Sequence, residues 1–339
     1  MPHGDETQHA ITRRAFLATA VVGTSAAAVG PWVVGRAHAA GTIKIGHVNS
    51  LTGIAAGIGQ SGRWGLQVAL KRIEKAGGIN GMKLEVIEAD SAFDSSRAAI
   101  EAEKMILKHN VDVITGISGS HECVKIAPLM AQHRTLFILG TGCETPALTA
   151  DPNCNRFVFR PYNSTRSQAI AMAQWALKHA GKKWFGIYSD FAWGQSVFHG
   201  FKEELERRGG QTVGSVAPPL KTNDFQPYLT KIDTAADGLV MALVGADAVR
   251  ILQQMASMGI TKKMRILGPA SLVDPTTLPA QKDSAIGTWT LHRYPSLTNP
   301  KGTPFDDEVN RRFYEEFTAV SGGALPSGYS QAQHTGINV

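Results

Sequence analysis

Cysteine is scarce in this chain: Cys123, Cys143 and Cys154 are the three among 339 residues, and their spacings match no zinc-binding pattern. Beyond residue 40 no run is long and apolar enough to span a bilayer. Basic residues number 34 against 28 acidic ones, a formal charge of +6, but they are dispersed and never interleave with aromatics, which argues against a nucleic-acid surface. Nor is there a G-x-S-x-G nucleophile elbow or an H-E-x-x-H pair, so hydrolase chemistry has no foothold. What is present is the composition of a folded protein. With 43% hydrophobic and 18% charged side chains, the chain can build one large or two medium cores and is not disordered.

The first forty residues differ in kind from the rest. Thr12-Arg13-Arg14-Ala15-Phe16-Leu17 has a twin-arginine pattern, a weakly apolar stretch follows, and Ala37-His38-Ala39 has the small-x-small form of a peptidase site. The expectation is an export signal over residues 1–39, cleaved after Ala39, and a periplasmic location. A membrane anchor fits less well, because Pro31 and Gly35 interrupt a segment already short for a span. In an oxidising compartment two cysteines can be bridged. Cys143 and Cys154 share the loop-rich stretch GCETPALTADPNC, so the expected bridge joins them and leaves Cys123 as a free buried thiol.

From Ile43 onward, short β-branched runs alternate with helix-period faces, the signature of an α/β fold with mainly parallel strands. IKIGHVN, KLEVIEAD, VDVITG and TLFILG read as strands, with helices between them. FVFRPY (157–162) breaks the rhythm, and a second series then runs from KKWFGIYSD to MRILGP, including a helix around PYLTKIDTA. GTWTLHRYPS (287–296) reads as a second crossing. The predicted lobes are therefore 40–160 with 290–325, and 161–289 with 326–339.

GIGQSG (57–62) matches the dinucleotide fingerprint G-x-G-x-x-G letter for letter, which raises an exported nicotinamide-dependent oxidoreductase as the alternative function. Two spacings disfavour it. The fingerprint's first glycine belongs at the strand end, whereas the strand here runs out near Asn49, and Asp90 lies well past the position of a ribose ligand. Two readings remain, a plain glycine loop with Ser61 as the N-cap of the following helix, or a loop of the same geometry lining a receptor's ligand cleft.

IKIGHVNSLTG, KAGGINGMKLEVIEAD and ETPALT followed by FVFRPYNS together resemble periplasmic binding proteins of the branched-chain amino acid type, over roughly residues 42–339. The resemblance implies a type I fold: two α/β lobes, each a mainly parallel sheet flanked by helices, joined by three crossovers, the last cut short here, since relatives continue past PSGYSQAQHTGINV. It implies a monomer without a cofactor or catalytic residues, which clamps a small ligand between its lobes and presents the closed shape to the permease of an ABC importer.

The same resemblance supplies candidate ligand contacts. An anion, usually a carboxylate, is expected at Ser120 in GISGSHE and at Thr141, Gly142 and Cys143 in GTGCE, held by hydroxyls and helix-start N–H groups. His121 and Glu122 are expected in a solvated loop. Ile58 falls where relatives carry a tyrosine, Trp193 aligns with a cleft aromatic able to stack on the ligand, and Gly245 opens the helix after DGLVMALV. Ala270 stands where an ammonium-binding glutamate is usual. A buried ammonium without a counter-charge is costly, so Asp190, Asp247 or Asp274 would have to compensate for an amino acid ligand. The departure favours an aliphatic or aromatic acid, or an amide.

Overall fold

The computed structural model describes residues 41–151, 153–294, 301–303 and 305–338, and the expected export signal lies outside them. Strands β1 (Thr42–Asn49), β2 (Lys83–Asp90), β3 (Val113–Gly116), β4 (Leu136–Leu139) and β5 (Val158–Phe159) alternate with α1 (Ala56–Lys75), α2 (Ser95–His109) and α3 (Ser120–His133). The series restarts with α4 (Thr165–His179), β6 (Lys183–Tyr188), α5 (Ala192–Arg207), β7 (Gln211–Val216), α6 (Gln226–Leu229) and β8 (Gly238–Ala242). It continues through α7 (Gly245–Ser257), β9 (Arg265–Pro269), α8 (Leu278–Gln281) and β10 (Thr288–Leu291), and then α9 (Glu308–Ser321) and α10 (Gly328–Asn338).

The named strands form two five-stranded parallel sheets, β2-β1-β3-β4-β5 and β7-β6-β8-β9-β10. These are the same permutation, so each sheet reverses direction beside its first strand. Clefts of doubly wound sheets form beyond the strands' carboxyl ends at that reversal. The first sheet buries Val48, Ile114, Phe137 and Leu139 against Met105, Ile126 and Met130 of α2 and α3. The second buries Phe185, Ile187, Leu239 and Met241 against Ile251, Leu252 and Met255 of α7. A third cluster packs α4 and α5 on the second sheet's other face and continues across to Ala55, Ile58 and Phe93 of the first half. Apolar packing thus joins the halves directly.

GIGQSG is not a loop. Helix α1 begins at Ala56 and absorbs the whole run, so Ser61 is buried inside the helix, within 2.7 Å of the Ser327 hydroxyl, rather than capping it. Glycine costs a helix about 1 kcal/mol relative to alanine, and packing overrides that cost here. A Cβ on Gly59 would stand 1.9 Å from the Ser50 carbonyl oxygen, one on Gly62 2.4 Å from Thr141 Oγ1, and one on Gly65 2.1 Å from the Ser330 carbonyl oxygen. The glycines let α1 lie against β1, the 141–144 segment and α10.

Two other expectations are corrected. The helix around PYLTKIDTA is one turn, α6, because the Thr230 hydroxyl donates to the Pro227 carbonyl and Asp233 accepts from the Ala235 N–H, local bonds that compete with helix continuation. The segment 326–339, assigned to the second lobe, instead provides α10, which packs along α1 and touches β4.

The disulfide also differs from the expected one. Cys123, in the first turn of α3, is bonded to Cys143, just after β4, with Cα atoms 6.2 Å apart, while Cys154 is free and exposed. Cys123 and Cys143 both face the first lobe's core and are fully buried. The adjacency comes from the fold, since α3 and β4 are successive elements of one βα unit. The bridge staples the start of α3 to the 141–144 segment.

Two outcomes follow from this packing. Gly59→Ala, forced against main chain, will lower the unfolding free energy in urea by about 1–3 kcal/mol. Replacing Cys123 and Cys143 together by serine will remove roughly 3 kcal/mol, the entropy of closing a loop of this length, and in the untouched native chain one thiol, Cys154, will react with a maleimide.

Candidate functional site

Both sheets aim their carboxyl ends at a common cleft. On the first wall, Asn49 at the end of β1 is a buried hub: its Nδ2 donates to Thr141 Oγ1 at 3.0 Å and to the Gly59 carbonyl, and its Oδ1 accepts from the Ser50 N–H and the Ser118 hydroxyl. Ile117 has φ +66, a left-handed conformation that a β-branched residue holds only when its surroundings over-determine it. Its N–H donates to the Val48 carbonyl and its carbonyl accepts from the Gly142 N–H, both at 2.7 Å. The turn pinned in this way delivers Ser118, Gly119 and Ser120 into the cleft.

The start of α3 is a donor end. The N–H groups of Ser120 and His121 open the helix and have no intrahelical acceptor by helix geometry. Ser120 is not the N-cap; that position is Gly119, whose N–H donates to Glu122 at 2.7 Å, and the Ser120 hydroxyl instead accepts from the Glu144 N–H at 3.2 Å. His121 and Glu122 are not in a solvated loop. Glu122 is fully buried, and burial pushes its carboxyl up to about 7. His121 lies edge-on to Phe93 at 4.7 Å and to Phe191 at 5.3 Å, and burial holds its pKa below the usual imidazole range. Phe191 in turn stacks with Trp193. These rings form a seam, with Phe93 and His121 from the first lobe and Phe191 and Trp193 from the second.

Behind the seam lies a cavity of roughly 240 Å³, lined by Glu144, Asn163, Gln168, Trp193, Ala270 and Arg293 among others, next to a narrower recess bordered by Ile58, Ser120, Gly142 and Phe191. Glu144, Trp193 and Tyr329 border both. Arg293 stands on the segment leaving β10. Its guanidinium lies 5.1 Å from the Tyr162 ring and 5.2 Å from the Tyr329 ring, donates to Glu144 Oε1 at 2.5 Å and donates to the Thr141 carbonyl at 3.2 Å. Glu144 Oε2 accepts from the Trp193 indole N–H at 2.8 Å. First lobe, second lobe and crossing segment thus meet in one hydrogen-bonded group.

The expected residues sort clearly. Ser120, Gly142, Ile58, Trp193 and Ala270 border the cavity or its recess. Thr141 and Cys143 lie just behind, with the Thr141 hydroxyl taken by Asn49 and Gln333 and the Cys143 N–H by the Tyr162 hydroxyl. The N–H groups of Thr141 and Gly142 are likewise committed to Gly116 and Ile117. Gly245 is a contact between lobes: with φ +53 it brings the start of α7 against Ile54, whose carbonyl accepts from the Ala246 N–H at 3.0 Å. Asp190, Asp247 and Asp274 are structural, bonded to Gln195, to Arg250 with the Lys221 N–H, and to Thr276 respectively. Glu144, Asn163, Gln168, Tyr329 and Arg293 escaped the sequence reading. GCETP and HRYPS contain the two charges, but nothing in the sequence brings together residues 149 positions apart.

Among the described residues, no group of three or more His, Cys, Asp or Glu gathers closely enough to hold a metal ion, and no helix is long and apolar enough to cross a membrane.

A family model described as periplasmic binding protein matches residues 42–339. The chain is 23% identical over 305 residues to the Leu/Ile/Val-binding protein homolog 6 of Brucella melitensis biotype 1, covering 88% of this chain and 75% of that one. It is similar in structure to a solute-binding protein of an ABC transporter from R. palustris in complex with 4-hydroxybenzoate, at 23% identity and TM-score 0.77, covering 88% and 78% of the two chains. It is also similar to a leucine-binding protein from Thermotoga maritima, at 21% identity and TM-score 0.75, covering 87% and 80%. The neighbours carry the two-lobed α/β architecture expected from the sequence.

The buried Glu122 gives the site a measurable pH signature. Its folded pKa of about 7 lies above the ordinary 4.5, so its contribution is fully present below pH 4.5 and is lost as pH rises through 7. Glu122→Gln, which keeps an acceptor for the Gly119 N–H, will gain on the parent chain by about 3 kcal/mol between pH 4.5 and 8 in denaturant titrations. A constant difference between the two proteins across that range would contradict this.

Proposed function

Because the chain belongs to the periplasmic binding protein family, we propose that it is an extracytoplasmic receptor that closes on a small carboxylate-bearing solute and delivers it to an ABC importer. The solute is an amino acid, an aliphatic or aromatic acid, or a related amide. Export by the twin-arginine signal, action as a monomer and recognition of the closed form by a membrane permease belong to the same reading. It needs no covalent step. A ligand that touches both lobes stabilises their closed arrangement by its differential affinity for that state.

The observation that carries this reading is Arg293 in the wall of a cavity that Trp193 and Tyr329 also line. The Arg293 guanidinium gives one donor to Glu144 and one to the Thr141 carbonyl and has others besides, the start of α3 adds helix N–H groups nearby, and Trp193 and Tyr329 give an apolar body something to pack on. The 4-hydroxybenzoate of one structural neighbour and the leucine of another share a carboxylate and an apolar body, which supports the same class of ligand.

The test is a thermal-shift and calorimetric screen of residues 40–339 after unfolding and refolding to remove carried-over solute. A ligand at 100 times its Kd will stabilise the chain by about 2.7 kcal/mol. The acids will do so in the parent chain, and Arg293→Lys, which keeps the charge and loses the fork, will weaken them. A screen in which no acid or amide stabilises the chain, or in which Arg293→Lys binds unchanged, would overturn the reading.

A further inference from the structure

The cation that would hold a ligand carboxylate is already occupied. Glu144 and Arg293 are both largely withdrawn from water, with side chains 8% and 12% exposed, and both line the cavity. Among the described lining residues Arg293 is the only lysine or arginine, and burial holds the neighbouring His292 below the usual imidazole range. In the wall the Glu144 carboxylate therefore offsets the Arg293 guanidinium. A simple monoanion meets a guanidinium already engaged by Glu144 and the Thr141 carbonyl, with a second carboxylate beside it, and like charges in a poorly solvated site repel strongly.

A second observation points the same way. Asn163 Oδ1 and Gln168 Oε1 are buried, line the same cavity and have no hydrogen-bond partner among the described residues. Buried carboxamide oxygens without partners are costly, and a ligand bringing an N–H or O–H donor would satisfy them. Glu144 itself accepts such a donor as readily as it accepts from Trp193. Resting on the acid-binding reading above, we propose that Glu144 is a specificity-determining residue: by holding Arg293 it makes the cavity favour acids that carry a second, hydrogen-bond-donating group over acids that carry none.

The test compares two matched pairs by calorimetry, benzoate with 4-hydroxybenzoate and 4-methylpentanoate with leucine, in the parent chain and in Glu144→Gln. The parent chain will prefer the donor-bearing member of at least one pair by about tenfold or more. Glu144→Gln will bring that ratio to within about threefold, chiefly by tightening the donor-less acid. A purely structural Glu144 would instead weaken every ligand on substitution, and that outcome, or an unchanged ratio, overturns the proposal. A parent chain that binds the donor-less acids as tightly as their partners overturns it whether or not the variant folds. Failure of all four to bind the parent chain overturns this proposal, whereas the acid-binding reading falls only if the wider screen of acids and amides also finds none, which separates the two failures.

Discussion

The buried pair of Arg293 and Glu144, with the Trp193 indole, joins three parts of the chain. Glu144 belongs to the segment after β4, its indole partner Trp193 to α5 of the second lobe, and Arg293 to the crossing segment after β10. Two charges removed from water repay their desolvation only when every donor and acceptor is matched, and stranding either one costs several kcal/mol. Here the matching is thorough, with the Thr141 carbonyl and two tyrosine faces completing the guanidinium's surroundings. A shift of one lobe against the other would take the Trp193 indole from Glu144, which would then need a new donor.

The first wall is built to hold its half of the arrangement still. Thr141 is fixed from one side by Asn49 and from the other by Gln333, which also donates to the Thr115 hydroxyl on β3. Helix α10 therefore buttresses the site through a polar lattice as well as through its packing on α1. The disulfide fastens the next residue but one to α3, and the left-handed turn at Ile117 is held by main-chain bonds on both sides. Strain of this kind persists where the surroundings fix a conformation more firmly than local preference opposes it.

The alternation of β-branched runs with helical faces was enough to read two parallel-sheet halves and the place where the first gives way to the second, since strand and helix periods are local properties. Close approach is not. Gly59 and Gly62 look like part of a flexible loop in sequence because the partners that need the missing Cβ, Ser50 and Thr141, are named only by the fold. The same holds for Cys123 and Cys143, which a βα unit brings together, and for Arg293 and Glu144, which the crossing brings together. Of the residues named by family pattern, Ser120, Trp193 and Ala270 border the cavity or its recess, since the turns and helix starts beyond the strands' carboxyl ends are where two parallel sheets face each other.

The ring seam of Phe93, His121, Phe191 and Trp193 bears on time as well as on shape. Parting the lobes separates edge-to-face contacts contributed by both sides and wets aromatic area that is now dry, so the opened form stands uphill before any solute has left. For the receptor proposed above, that ascent adds to the barrier against solute escape, so the four rings would lengthen residence time.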